Sequence, residues 1–375
     1  MGVFDSHKSF GKAILYTCSA ESKDFFKVYE SSDDKNVILS PLGVFTLLLL
    51  YAFGAEGQVA DEIVEFLGAA NKRHLTDSYR KLSRELSSMD PDLLAFSDNV
   101  YIDNQYSLNN SFILNAYSYN SEADIIDFRN PKSAAKTINE WVSTKTKGKI
   151  NEIVSEDDIT YDLVVGLYNV IFFKGHWAVP FDESETREHC FLTDDFQLIK
   201  KPMMHLLKSL DYFEDEGAGV RMIQLPYKES KFKMVVVLPS HLNGLSMVLR
   251  QISETGLLHY VNRMNHSEIV INLHLPRFEI KSEHDLKNIL PKVGISSIFH
   301  GDAYGVVNEA PVSVDKAFQQ AFVVVDEKGS TAGAATGLHI TYTSLTPTIP
   351  FKVDRPFLFA ILYDDIVLVA GTLSH

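Results

Sequence analysis

Thirteen histidines and a large number of serines supply the raw material for a nucleophile and its base. Residue types alone do not make a catalytic centre, because each chemistry needs its own local setting. A serine hydrolase needs a sharp G-x-S-x-G turn to present its hydroxyl, a zinc peptidase needs H-E-x-x-H on one helix face, and a phosphate loop needs G-x-x-x-x-G-K. None of these occurs in the 375 residues. His176 stands beside Trp177, and His274 lies in the strand-like run Asn272 to Phe278 (NLHLPRF). Both read as packing or surface histidines. The two cysteines, Cys18 and Cys190, are far apart and form no metal-ligand or redox spacing, so they read as buried or free thiols. No catalytic residue, metal site or cofactor is expected.

One stretch has a different kind of potential. Asp326 to Leu345 reads DEKGSTAGAATGLHITYTSL, and its small-residue run is too poor in side-chain surface to order itself as an isolated loop. Yet every second residue, Ser330, Ala332, Ala334, Thr336, Leu338, Ile340 and Tyr342, makes a face that is small and then apolar. The alternate set, Thr331, Gly333, Ala335, Gly337, His339 and Thr341, is small and polar. Extended strands send successive side chains to opposite faces, so a loop composition carries a strand's pattern here. The two are compatible if the segment has two conformations, exposed before an event and a buried strand after it.

The elements around this stretch read as one α+β domain. Ser9 to Ser31 has helical spacing, and Ser40-Pro41 opens a strongly apolar helix, Leu42 to Phe53. Helical patterns follow at Gln58 to Leu67, Thr76 to Leu86, Asn110 to Tyr117 and Ala134 to Val142, the last with Trp141 expected inside. Leu94 to Ile102 and Asp124 to Phe128 are β-like, and Leu163 to Phe173 is an apolar run suited to a strand buried on both faces. Strands then dominate, at Gly219 to Pro226, Phe232 to Leu238, Glu268 to Leu273, Phe278 to Ile280, Ala321 to Val325, Phe357 to Tyr363 and Ile366 to Gly371. Helical segments at Leu245 to Ile252 and Glu283 to Val293 interrupt them. With no linker tract and no internal repeat, residues 1–375 are expected to form a single domain.

Composition narrows the partners. A formal charge of −14 argues against general nucleic-acid binding and against anionic membranes, which need clustered cations. The cations Lys72, Arg73, Arg80, Lys81 and Arg84 lie among Asp77 and Glu85 and read as a solvated helix face. No run is long enough to span a bilayer as a helix. The N-terminus has no signal-peptide pattern, which leaves two compartments open: cytoplasm, or secretion with the signal absent from this chain. The sequons at Asn109 and Asn265 matter only in the second case, and Gly2 to Ser6 fits a myristoylation pattern only formally.

Several short motifs, in order and at their spacing, resemble the serpin family over Asn36 to Thr372. They are Asn36 to Pro41 (NVILSP), Ile138 to Val142, Thr146 to Ile150, Asn169 to Trp177 (NVIFFKGHW) and Leu275 to Phe278. Gly294-Ile295 with Phe299, Lys316-Ala317 followed by Ala321-Phe322, and Asp354 to Phe357 continue the series. The resemblance implies three β-sheets, about nine helices and an exposed reactive loop from roughly Gly329 to Pro350, with hinge and loop together spanning 326–350. It also implies a suicide substrate. A target protease attacks the loop, forms an acyl-enzyme, and is dragged across the molecule as the freed loop inserts into the central sheet, a case of strand addition that releases stored strain.

Carried onto this chain, the resemblance makes Glu327, Lys328, Gly329, Ser330, Ala332 and Ala334 the hinge. The inward positions Ser330, Ala332 and Ala334 bear neither charge nor proline, either of which would obstruct insertion, and this favours an inhibitor over a non-inhibitory carrier or storage relative. Counting from Gly329 puts the reactive bond between Thr343 and Ser344; counting back from Pro356 puts it between Leu345 and Thr346. No arginine or lysine lies between Gly329 and Phe351, which disfavours trypsin-like targets. Tyr342 would fill the pocket upstream of a Thr343 cut, the main pocket of papain-like (cathepsin-type) cysteine proteases, while elastase- or chymotrypsin-like serine proteases stay open. The partner is then a protease held covalently by a monomer. The Lys72 to Arg84 region corresponds to a part of the fold where some serpins bind heparin, and the acidity of the chain weighs against such a polyanion partner. Asp315 stands where many members have histidine, so the polar cluster under the central sheet is expected to be wired differently.

Overall fold

The structure, a computed structural model, describes residues 35–328 and 347–375. In chain order the elements are β1 (Val37–Leu39), α1 (Pro41–Ala52), α2 (Gly57–Phe66), α3 (Lys72–Ser87), β2 (Leu94–Asp103), α4 (Asn110–Ser118), β3 (Glu122–Ile126), α5 (Pro131–Lys145) and β4 (Val165–Phe173). There follow β5 (Arg187–Leu192), β6 (Leu198–Lys208), β7 (Asp211–Asp215), β8 (Val220–Pro226), β9 (Phe232–Pro239), α6 (Leu245–Thr255), α7 (Leu257–Val261) and β10 (Asn265–His266). The last are β11 (Val270–Pro276), β12 (Phe278–Asp285), α8 (Leu286–Val293), β13 (Lys316–Val325), β14 (Thr348–Lys352), β15 (Phe357–Tyr363) and β16 (Ile366–Leu373). The strands form three sheets: β12-β13-β4-β2-β3, β14-β11-β6-β5, and β1-β16-β15-β9-β8-β7-β10.

Helix α1 joins two of these sheets because of its composition. All twelve residues are buried, and a helix apolar on every side has to be covered on every side. It packs against β2 and β4 of the five-stranded sheet and against β16 of the seven-stranded one. Ser40 caps it, its Oγ accepting from Gly43 N at 3.0 Å, and Pro41 occupies the first helical position, where its missing N–H costs nothing.

Most expected elements are present, with shifted ends. One boundary moves for a clear reason: Glu283 to Asp285, expected in a helix, continue β12, whose register with β13 runs to Asp285 opposite Phe318. Asp285 then caps α8, its carboxylate accepting from Lys287 N at 2.9 Å. Trp141 is half-buried on α5, with its indole N–H donating to Glu122 Oε2 at 2.6 Å. Eight α-helices are present among the described residues. The helical pattern of Ser9 to Ser31 lies outside them, as does Cys18.

Candidate functional site

The residues that follow β13, Asp326 to Lys328, are held by contacts from several elements. Trp177 donates its indole N–H to Asp326 O at 2.7 Å while stacking on Tyr227, ring centroids 4.4 Å apart. Lys174 Nζ lies 2.9 Å from the Asp326 carboxylate. Glu327 is 5 % exposed; its carboxylate accepts from Thr186 Oγ1 at 2.9 Å and stands 3.6 Å from the Arg277 guanidinium. Its carbonyl accepts from Phe181 N at 2.9 Å. Lys328 turns outward to Glu183, 2.8 Å away, and this contact raises its pKa. Asp326, Glu327 and Lys328, with Glu183, Thr186 and Arg277, line an open cleft of about 920 Å³ between β5, β12 and the end of β13.

Below the cleft the sheet has an unusual neighbour pair. β13 runs parallel to β4, register Gln319 to Asn169, while their outer neighbours β12 and β2 are antiparallel to them. Across this seam runs a row of polar side chains in register: His284 on β12, Gln319 on β13, Asn169 on β4 and Asp98 on β2, all buried. Gln319 Nε2 donates to Asn169 Oδ1 at 2.9 Å across the seam, and Asn169 Nδ2 donates to Asp98 Oδ1 at 2.8 Å. Gln319 also clasps the start of α1, accepting from Ser40 N at 2.7 Å and donating to Ser40 O at 3.0 Å. His284 Nε2 lies 2.6 Å from Ile38 O. The row can lie this close to α1 because position 43 is glycine: a Cβ there would sit 2.2 Å from Asn169 Oδ1 and 2.6 Å from Gln319 Nε2.

The family model described as Serpin (serine protease inhibitor) matches residues 21–375. The chain is a serpin. Antitrypsin of Bombyx mori is 29% identical to it over 353 residues, covering 92% of this chain and 90% of its own length. Alpha-1-antiproteinase 2 of Equus caballus is 33% identical over 345 residues, covering 90% and 80%. The crystal structure of Serpin48 from Tenebrio molitor superposes with a TM-score of 0.85 at 27% identity, covering 98% of each chain. The three-sheet serpin fold is therefore shown, and family and relatives alike point to an inhibitor of proteases rather than an enzyme.

Of the hinge residues expected in this serpin, Glu327 and Lys328 are brought to the cleft. Gly329, Ser330, Ala332 and Ala334, both candidate reactive bonds (Thr343-Ser344 and Leu345-Thr346) and Tyr342 lie outside the described residues. Asp315 needs correcting: it does not belong to the polar cluster beneath the sheet. Its carboxylate caps the start of β4, accepting from Val164 N at 2.7 Å and Val165 N at 3.0 Å, while Gln319 makes the cluster's contacts. The basic helix α3 spends cations on structure, since Lys72 Nζ donates to the Phe53 and Ala55 carbonyls and Arg80 to the Tyr119 hydroxyl. His274 packs at 4.8 Å from His205 and 5.4 Å from His189, ring to ring, and burial followed by those two neighbours holds its pKa down at about 4. Cys190 is a free, exposed thiol. Reading the sequence alone misses the polar row, although two of its members leave a trace: Asn169 and Gln319 each interrupt an apolar strand with no turn residue beside them, whereas Asp98 is masked by Ser97 and Asn99.

Proposed function

We propose that this serpin inhibits its target protease as a suicide substrate, by loop cleavage and insertion of the freed segment between β4 and β13. One observation carries the reading: the parallel β4–β13 seam lies beside the point where the chain leaves β13. A segment folding back after Lys328 would run antiparallel to β13, and therefore antiparallel to β4 as well. Inserting it would exchange one parallel ladder, the slightly weaker kind per residue, for two antiparallel ones. Gly329, Ser330, Ala332 and Ala334 would enter first, small and uncharged. The native state is then kinetically trapped, and its lifetime is set by a barrier.

The reactive bond we favour is Thr343-Ser344, with Leu345-Thr346 as the alternative. The target we favour is a papain-like cysteine protease that accepts Tyr342, ahead of an elastase- or chymotrypsin-like serine protease. The test is incubation with one enzyme of each kind, denaturing electrophoresis, and sequencing of the released C-terminal fragment. A denaturant-resistant adduct is expected, with the fragment beginning at Ser344. Clean cleavage with undiminished protease activity would reject trapping for those enzymes. If cleavage also brought no gain in melting temperature, the insertion reading would fall, and a carrier or storage role would take its place.

A further inference from the structure

The row that crosses the seam ends on a group that can change its charge. Asp98 is 2 % exposed in the middle of β2. Besides Asn169, which donates to it, the hydroxyls of Thr46 and Ser121 lie beside its carboxyl. Among the described residues the side chains that face it are uncharged: Thr46 on α1, Tyr79 on α3, Asn169 on β4, and Ser121 between α4 and β3. The other titratable member of the row, His284, sits on β12 at the far end, where burial lowers its pKa and keeps it neutral. Among the described residues no cation compensates the Asp98 carboxylate, and burial pushes its pKa up to about 7.

We propose that Asp98 couples the parting of β4 and β13 to pH: protonated, it keeps the five-stranded sheet closed, and ionised, it favours opening. The inference rests on the insertion reading above. Two effects of ionisation oppose each other. An ionised carboxylate polarises the Asn169 amide and makes its Oδ1 a better acceptor for Gln319, which tightens the seam. That gain is a fraction, roughly 10–30 %, of one hydrogen bond. Against it stands the cost of a charge enclosed without a cation, large enough to carry the titration from the ordinary carboxylate range to neutrality. Parting the seam takes Gln319 away from Asn169 and lets water approach the row, which relieves that cost. Hydration is the larger effect, so ionisation speeds opening.

The test avoids a protease, whose own titration would intrude. A blocked synthetic peptide with the sequence of residues 330–338, which carries no titratable side chain, is annealed into the intact protein, and the gain in melting temperature reports insertion. Between pH 6 and pH 8 the ionised fraction of a group titrating near neutrality rises about tenfold, and the annealing rate is expected to rise by about the same factor. In Asp98→Asn, which keeps an acceptor for Asn169, the rate should be independent of pH and no faster than the wild-type rate at pH 6. A flat wild-type profile, or an unchanged profile in Asp98→Asn, overturns the assignment. A second readout needs no variant: the infrared carbonyl band of a buried carboxylic acid should be present at pH 6 and lost by pH 8, and its absence at pH 6 also overturns it. Failure of the peptide to anneal at any pH would instead remove the insertion reading itself, and the proposal with it.

Discussion

Two sheets of the same molecule are held together in opposite ways. In the seven-stranded sheet three adjacent strands are apolar: Val235, Val236 and Val237 of β9, Phe359 to Leu362 of β15 and Val367 to Val369 of β16 are all buried. The five-stranded sheet carries His284, Gln319, Asn169 and Asp98 in one row through its middle. Apolar contact is non-directional, so it resists any separation of the strands in proportion to the area re-exposed. A hydrogen-bonded row is worth little net once water or another strand can take over its partners, but it is costly when half broken. The first sheet is built to stay as it is. The second has partners that can be exchanged.

The largest expected effect breaks the apolar side of this comparison. Phe359 is fully buried, 5.0 Å ring to ring from Phe278, and Phe359→Ala should cost about 3–5 kcal/mol in urea denaturation. Because it lies away from the seam, peptide annealing to the variant that still folds should keep its wild-type pH profile. On the polar side, Gln319→Leu strands the Ser40 N–H and the Asn169 Oδ1 and should cost roughly 1–3 kcal/mol, while the Ser40 C=O keeps its bond from Val44 N. Its distinguishing sign is faster peptide annealing, since the side-chain bond from Gln319 to Asn169 in the middle of the seam is gone.

A pH series sharpens the contrast. The folded state holds a proton on Asp98 that the unfolded chain has released, so this group's stabilising contribution is present at low pH and is lost as pH rises through its folded value of about 7. His274 and His284 have the opposite sign: their folded pKa values are lowered, the unfolded chain binds protons first, and stability falls as pH drops below about 6.5, towards about 4 for His274. The two slopes partly cancel in the wild type. Asp98→Asn should therefore lose stability on acidification from pH 7 to pH 5 more steeply than the wild type, measured as denaturation midpoints. The smallest effect is expected at the hinge surface, where Lys328 and Glu183 are 57% and 60% exposed. Lys328→Ala should leave the denaturation midpoint unchanged, because solvent screens such a pair.

Much of the fold was legible because burial imposes period and composition. The strand Phe357–Tyr363 stands where its apolar run predicts, and α1 follows from Ser40-Pro41 and the leucines after it. The stretch from Arg187 to Asp215 was not read as strands, and its burial pattern says why: four of the six residues of β5 are exposed, so neither face imposes an alternation. The hinge was half legible, in that Glu327 was picked out but its pairing with Thr186 and Arg277 depends on elements distant in sequence. The polar row stayed hidden for a similar reason. One polar residue in an apolar strand carries no message until register sets it beside three others.

The strands that flank residues 329–346 belong to different sheets, β13 to the five-stranded one and β14, paired with β11, to the four-stranded one. Everything after the loop is structural: Phe351 is buried, and β15 and β16 run through the heart of the seven-stranded sheet. A single cut in the loop would therefore turn one polypeptide into a two-chain assembly that cannot come apart without dismantling a core. Nicked protein should travel as one species in native separations and divide only in denaturant, so the molecule's own C-terminal segment behaves as a permanently bound subunit.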